Sequence, residues 1–412
     1  MFQQEERLFQ MWYPESFMRI MGANSIITML GSSHKHLRNL VLRLFGPENL
    51  PARHDPGVIA IYALQMIFSV TAKKLIGYDS STSNEEMWKQ YNAFFHGLVA
   101  LPLYIPGTAF YKCMQGRKNV MKTLKELFDE RKNAARRLEN IDFIDVLIEE
   151  LEKDTMSENA ALELVFLLLF ASFETTSSAI AAVIKFLTDN PKALQELTEE
   201  HDYIQKTRAN PNSGITWEEY KSMKFTSHVI HEGLRLANVA TVVFRKAIED
   251  VHIKDYAIPN GSKIMICAST VHQNTVAYKD PNIFNPWRWK DIAEPVGGAS
   301  KDFMAFGGGM RLCAGADFAK LQMAIFLHCL VTKYRDSLVL RDVQVRRTAR
   351  AGAVVRSSPA DDVKEMEGRG LEIPDVQISN INSKELQPPE LCQLVALRTF
   401  LKLKSEGEKR RV

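Results

Sequence analysis

Phe306-Gly307-Gly308-Gly309-Met310-Arg311-Leu312-Cys313-Ala314-Gly315 is the stretch from which the rest of the chain can be read. Consecutive glycines do not serve a helix or strand, since each costs up to about 1 kcal/mol against alanine inside an element. They suit backbone that passes close to something flat or bulky. An arginine, a single thiol and another glycine follow, and then a helical pattern from Ala316 to Phe326. A thiol just ahead of a helix, with backbone N–H groups aimed at it, is expected as a thiolate held by the helix dipole and by Arg311. One thiolate on so bare a loop suits a metal that takes a single protein sulfur, and haem iron with a proximal cysteine is the main such case. The plainer alternative is a buried, inert cysteine beside a Gly-rich loop. A dinucleotide or phosphate loop fits less well, because Leu312 stands where the fingerprint needs glycine and no Lys-Ser/Thr pair follows.

Composition sets the frame. The chain has 412 residues, 46% hydrophobic and 25% charged, as in an ordinary globular protein with a large core. A net charge of +3 is too balanced to argue for nucleic acid. The 5 cysteines are odd in number and none is spaced as Cys-x-x-Cys, against a disulfide framework or structural zinc and for a reducing compartment. The opening Met1-Phe2-Gln3-Gln4-Glu5-Glu6-Arg7 carries no apolar run of signal or anchor length. The most apolar run, Leu164 to Phe173 between Glu163 and Glu174, is expected as a buried helix and not a membrane span.

Phe306-x-x-Gly309-x-Arg311-x-Cys313-x-Gly315 resembles the haem-binding signature of the cytochrome P450 monooxygenases. The resemblance implies a mainly α fold with small β-sheets. It makes Cys313 the axial ligand of haem b (iron protoporphyrin IX), with Phe306, Arg311 and Gly315 in the cofactor-binding loop. It also implies O2, an apolar polycyclic substrate and a separate NADPH-dependent reductase, since no nucleotide fingerprint stands in this chain.

Other segments are read beside that expectation. In Ser33-His34-Lys35-His36-Leu37-Arg38, His34 and Arg38 lie four apart on one helix face and could hold a carboxylate or a haem propionate. Many haem-thiolate monooxygenases have a similar pair; a solvated basic face is the bland reading. In Ala171-Ser172-Phe173-Glu174-Thr175-Thr176, an acid and an alcohol inside an apolar helix are costly unless used. By resemblance this helix crosses the distal face of the haem, Ala171 leaves room for dioxygen, and Glu174 and Thr175 deliver protons. Ser172 replaces the usual glycine. The alternative is a Thr175 hydroxyl bonded to its i−4 carbonyl and Glu174 in a helix–helix ion pair.

His231-Glu232 fails as a zinc-protease motif, because Arg235 stands where the second histidine belongs. Glu232 and Arg235 form an i,i+3 pair, worth little if exposed. By resemblance both are buried and tied to Arg288 in Phe284-Asn285-Pro286-Trp287-Arg288-Trp289. Val239 to Val243 would line the substrate pocket and Arg245 would reach a propionate. Thr216-Trp217-Glu218-Glu219 is a capping box, and Tyr256 to Lys263 carries a hairpin turn signal between strands. Phe94 to Phe110, apolar and broken by proline and glycine, suits a channel mouth or membrane-facing loop as well as a core loop. Its Pro-Gly-Thr piece resembles the plant clan that oxidises brassinosteroids, sterols and triterpenoids.

Residues 1–335 are therefore expected as the catalytic domain, N-terminally truncated, without the family's anchor, Pro-rich hinge and first strands. Residues 336–412, opening on the basic run from Arg346 to Arg350, are expected as an atypical, disordered tail. The family implies the cytosolic face of the endoplasmic reticulum, with a peripheral or soluble location as the alternative in a chain without an anchor. Two rival readings stay open: a haem-binding protein without turnover, and a peroxide-rearranging enzyme on the same fold, against which Glu174-Thr175 argues.

Overall fold

In a computed structural model of the chain, the residues described are 1–22, 24–45, 63–78, 100–133, 142–208, 214–290 and 300–333, with Tyr91, Phe94, Gly97 and Leu98. The expected tail from residue 336 onward lies outside them.

The helices are α1 (Glu15–Met21), α2 (Gly31–Phe45), α3 (Ala63–Ile76), α4 (Ala109–Asn133), α5 (Phe143–Glu152), α6 (Glu158–Asp189), α7 (Pro191–Thr207), α8 (Trp217–Ser222), α9 (Lys224–Ala237), α10 (Ala268–His272) and α11 (Ala316–Lys333). The strands are β1 (Phe9–Met11), β2 (Val242–Ala247), β3 (Val251–Ile253), β4 (Tyr256–Ile258) and β5 (Lys263–Cys267). The mainly α fold with small β-sheets expected from the sequence is the fold observed. Local chemistry accounts for several element ends. Pro191 opens α7, Gly77 in the left-handed region (φ 62°) follows α3, and the Thr216–Glu219 capping box starts α8. A second box, Asp142 with Asp145, starts α5.

The strands form two antiparallel sheets, one ordered β1-β2-β5 and the other β3-β4. This corrects the hairpin expected across Tyr256 to Lys263. The Pro259–Ser262 turn is present, but it joins strands of different sheets, and the true hairpin is β3-β4 around Lys254 (φ 53°) and Asp255. The turn is pinned elsewhere: Gly261 N donates to Ala247 O at 2.9 Å and Asn260 N to Asp250 Oδ1 at 2.7 Å. In the Pro-punctuated segment Phe94 and Phe110 are buried, whereas Leu101, Leu103, Tyr104 and Ile105 between them are exposed. Among the described residues, α6 alone is long and apolar enough to cross a membrane, and 53% of its apolar window is buried within the protein. Leu164, Val165, Phe166 and Leu169 are all buried.

The described residues fall into two compact units, one drawn from 1–45, 67–179 and 231–322 and the other from 63–66, 180–230 and 323–333. In the second, Leu197, Ile204, Val229 and Leu327 are buried, with His201 and His328 paired through their Nδ1 atoms at 3.0 Å. Thr226 lies between His201 Nε2, at 3.0 Å, and the Glu200 carboxylate.

The first unit is braced by Glu232. Its carboxylate is fully buried and takes five donors: Arg235 Nε and Nη2 at 2.9 Å each, Arg288 Nε at 3.0 Å, Trp289 Nε1 at 3.0 Å and Asn285 N at 2.9 Å. Arg235 is equally buried, and its Nη1 donates to His272 O and Pro281 O at 2.7 Å. The His272 ring then accepts from Met304 N at 2.9 Å and lies 2.8 Å from Asn238 Oδ1. Since Nε2 accepts, Nδ1 holds the proton and donates to Asn238. The brace therefore runs from α9 through α10 to the backbone two residues before Phe306.

The brace and the buried histidines yield two predictions. Glu232→Gln keeps the shape but leaves two buried guanidiniums without a counter-charge, a loss of about 3–5 kcal/mol. Denaturant unfolding measures it, and a loss below about 1 kcal/mol would contradict the brace. Burial, and then Arg235, pushes His272 down from 6.5 to about 4, and burial likewise lowers His34 to about 4 and His201 to about 3. The unfolded chain then binds more protons below pH 6.5, so stability is complete above that pH and falls as pH drops toward 4. Unfolding midpoints should decline steeply between neutral pH and pH 5; a flat profile would show that these rings are not buried neutral.

Candidate active site

The Gly-rich loop turns on itself before α11. Cys313 N donates to Phe306 O at 3.0 Å, Leu312 N to Gly309 O at 3.1 Å, and Gly307 N to Met304 O at 3.0 Å. Gly307 (φ 78°) and Gly309 (φ 65°) take the left-handed backbone that a side chain would strain. The bulky neighbour inferred from the glycines includes Phe2, whose ring lies against Gly308 and whose carbonyl would collide with any Cβ at Gly309. Ala319 N closes the first turn of α11 on Gly315 O at 2.8 Å.

Cys313 sits at the head of that helix. Its side chain is exposed by accessible area, yet protein surrounds it on most sides, and the surrounding mass governs its titration. Burial raises the thiol above its ordinary value, Asp317 adds to the rise, and a hydrogen bond from the Gly315 N–H and the charge of Arg38 act the other way. One expectation is corrected here. The cation beside it is Arg38, whose Nη1 donates to Leu312 O, and not Arg311.

Arg311 faces another way because its guanidinium is spent elsewhere. Nη1 donates to Ile26 O at 3.0 Å and Nη2 to Met29 O at 2.5 Å, which ties the loop to the segment ahead of α2. Its Nε lies 3.4 Å from Glu5, which also pairs with Arg245 Nε at 2.6 Å. Arg245 projects from β2, with Nη1 on Phe244 O at 2.9 Å and on Met11 Sδ at 3.0 Å. On α2, His34 is buried; burial, Arg311 and Arg38 lower it to about 4, so at neutral pH it is an uncharged donor and not a cation. The structure thus gathers Cys313, Arg38, His34, Arg311 and Arg245 in one unit. Sequence reading missed Glu5, which carries no motif of its own.

On α6 the helix is unbroken through Ala171–Thr176. Thr175 Oγ1 donates to Ala171 O at 2.6 Å and Ser172 Oγ to Leu169 O at 3.2 Å, so the Thr175 bond to its i−4 carbonyl is present. Ala171 and Thr175 are exposed and Glu174 is half-buried. Glu232, Arg235 and Arg288 meet in the brace described above.

The residues fit an iron that brings its own macrocycle. Among the described residues no group of three or more His, Cys, Asp or Glu could cage a metal, whereas Cys313 offers one accessible sulfur. The Nε atoms of Arg245 and Arg311 are buried and face the Glu5 carboxylate at 2.6 and 3.4 Å.

Comparison with known proteins agrees. A family model described as Cytochrome P450 matches residues 57–363. The chain is 48% identical over 377 residues to Cytochrome P450 87A3 of Oryza sativa subsp. japonica, covering 86% of this chain and 71% of that protein. It is 37% identical to cucurbitadienol 11-hydroxylase of Siraitia grosvenorii (81% of this chain, 74% of that protein) and 37% identical to a steroid (22S)-hydroxylase of Oryza sativa subsp. indica (82% and 72%). Among solved structures, retinoic acid-bound cyanobacterial CYP120A1 shares the fold at a TM-score of 0.70 and 24% identity, covering 80% of this chain and 78% of that one. The single cysteine at the helix head, the cations around it and these likenesses agree: the chain belongs to the cytochrome P450 family of monooxygenases.

Proposed function

We propose that this chain inserts one oxygen atom of O2 into a C–H bond of a sterol- or triterpenoid-like substrate. Electrons come from an NADPH-dependent reductase. The balance is substrate C–H, O2, NADPH and a proton giving alcohol, water and NADP+. The reading rests above all on Cys313, an accessible thiol at the head of α11 with Arg38 beside it. Haem b, held through Cys313, would supply the dioxygen activation.

This chain's own residues bind, orient and manage protons. Gly315 N–H and Arg38 take up part of the charge of the Cys313 thiolate, which tunes its donation. Arg38, Arg245 and Arg311 hold the propionates, with neutral His34 as a further donor. Phe306 shields the sulfur side of the loop. On α6, Ala171 leaves space for dioxygen. The Thr175 hydroxyl, which donates to Ala171 O, keeps its lone pairs to accept from water, and Glu174 one residue earlier resupplies the proton. Val242 and Val243 in β2 shape the apolar pocket.

The substrate class rests on relatives named as a cucurbitadienol hydroxylase, a steroid hydroxylase and a beta-amyrin 16-alpha-hydroxylase of Maesa lanceolata, the last 36% identical. The protein works at the cytosolic face of the endoplasmic reticulum, where exposed Leu101, Leu103, Tyr104 and Ile105 meet the lipid surface.

Two experiments test this reading. The haem-loaded chain, reduced under carbon monoxide, should show the strongly red-shifted Soret band of thiolate ligation, and Cys313→Ala should abolish it. No band in the wild type, or its survival in the variant, would refute the assignment. With reductase and a triterpene, Thr175→Ala should lower product formed per NADPH consumed by about tenfold or more. Unchanged coupling would remove Thr175 from proton delivery.

A further inference from the structure

Glu5 is the buried charge that the reading above does not use. Its side chain is 1% exposed, between Arg245 (2%) and Arg311 (5%). Those two arginines come from places far apart in the chain, β2 and the Cys313 loop. Both turn the Nε edge of the guanidinium toward one carboxylate. Arg311 spends its two outer nitrogens on Ile26 O and Met29 O, and Arg245 spends Nη1 on Phe244 O. The backbone next to Glu5 is fixed too. Glu6 N donates to Phe9 O at 2.7 Å, Phe2 lies on Gly308 and Gly309, and the Arg245 guanidinium lies 5.4 Å from the centre of the Phe2 ring. Glu6 plays a separate part: its carboxylate accepts from Gly31 N at 2.6 Å at the start of α2.

Two guanidiniums this close and this dry repel each other unless an anion stands between them. Glu5 supplies that anion, with Arg245 Nε at 2.6 Å and Arg311 Nε at 3.4 Å from its carboxylate.

We infer that Glu5 is a positioning residue that holds Arg245 and Arg311 together in the geometry with which they grip the haem propionates. The inference deepens the proposed function and rests on it. Without the Glu5 charge, the two guanidiniums separate or admit water, and each propionate loses an aligned partner.

The test is the rate of haem transfer from the haem-loaded protein to excess apomyoglobin. Glu5→Gln, which has the same shape without the charge, should lose haem about tenfold faster or more, the scale of an outer-shell partner's effect. The reduction potential should rise, because a nearby negative charge is gone. A purely architectural Glu5 would lower the melting temperature and leave the potential alone. Glu5→Asp, which keeps the charge, should recover most of the wild-type rate, and it supplies the readout if the Gln variant folds poorly. Equal rates in wild type, Gln and Asp variants would overturn the inference, and so would slower loss from Gln, which would mark Glu5 as a competitor of the propionate. If the wild type takes up no haem, the reading of the site fails first; if it does and Glu5→Gln behaves identically, only this inference fails.

Discussion

The buried carboxylate of Glu232 is the interaction on which the site depends. A fully desolvated acid is tolerable only with its lone pairs filled, and here two guanidiniums, an indole and a backbone amide fill them. The result is rigid because each partner is also committed elsewhere: Arg235 to His272 O and Pro281 O, Arg288 to Lys279 O. Through the neutral ring of His272, the same network holds Met304 N, and Met304 O in turn holds Gly307 N. The loop that carries Cys313 contains residues with little rigidity of their own. Its shape is borrowed from a salt bridge on another helix.

The site itself is a problem in charge placement. Arg38 stands beside the sulfur, Arg311 ties the Cys313 loop to residues 26 and 29, and Arg245 joins it to the sheet. Without a bound anion these cations would destabilise the fold, since buried like charges repel. Three features limit the cost: His34 is kept neutral, Glu5 sits between two of the arginines, and carbonyl oxygens accept from the rest. Stability and cofactor binding are thereby coupled, because an anionic ligand would relieve the repulsion among these cations.

How much was legible beforehand varied with the distance over which a signal acts. Helix segments were, because the spacing of Leu37, Leu40, Val41 and Phe45 and the caps at Thr216 and Gly77 are local. The cysteine loop was too, since consecutive glycines before a thiol have few other uses. Arg288 could be matched to Glu232 and Arg235 only through family resemblance, and buried geometry now ties the three. The strand pairing was not legible: a Pro-Asn-Gly turn signals a reversal but not which sheet each strand joins, and backbone bonds to Ala247 decided that. The partner of the thiol was misread because Arg311 is adjacent in sequence, whereas Arg38, 274 positions away from its acceptor Leu312, is adjacent in space. Glu5 left no trace in its own segment, where two glutamates look like ordinary surface charge.

The central claim is that Cys313 is the single protein ligand of a haem whose propionates meet the arginine cluster. A crystal structure of the haem-loaded chain, with data collected at the iron absorption edge, tests it most directly. The account predicts one iron peak bonded to Cys313 Sγ, with the propionates on Arg38, Arg245 and Arg311 and Glu5 still between the last two. Iron bound to another side chain, or propionates pointing away from the arginines, would contradict it.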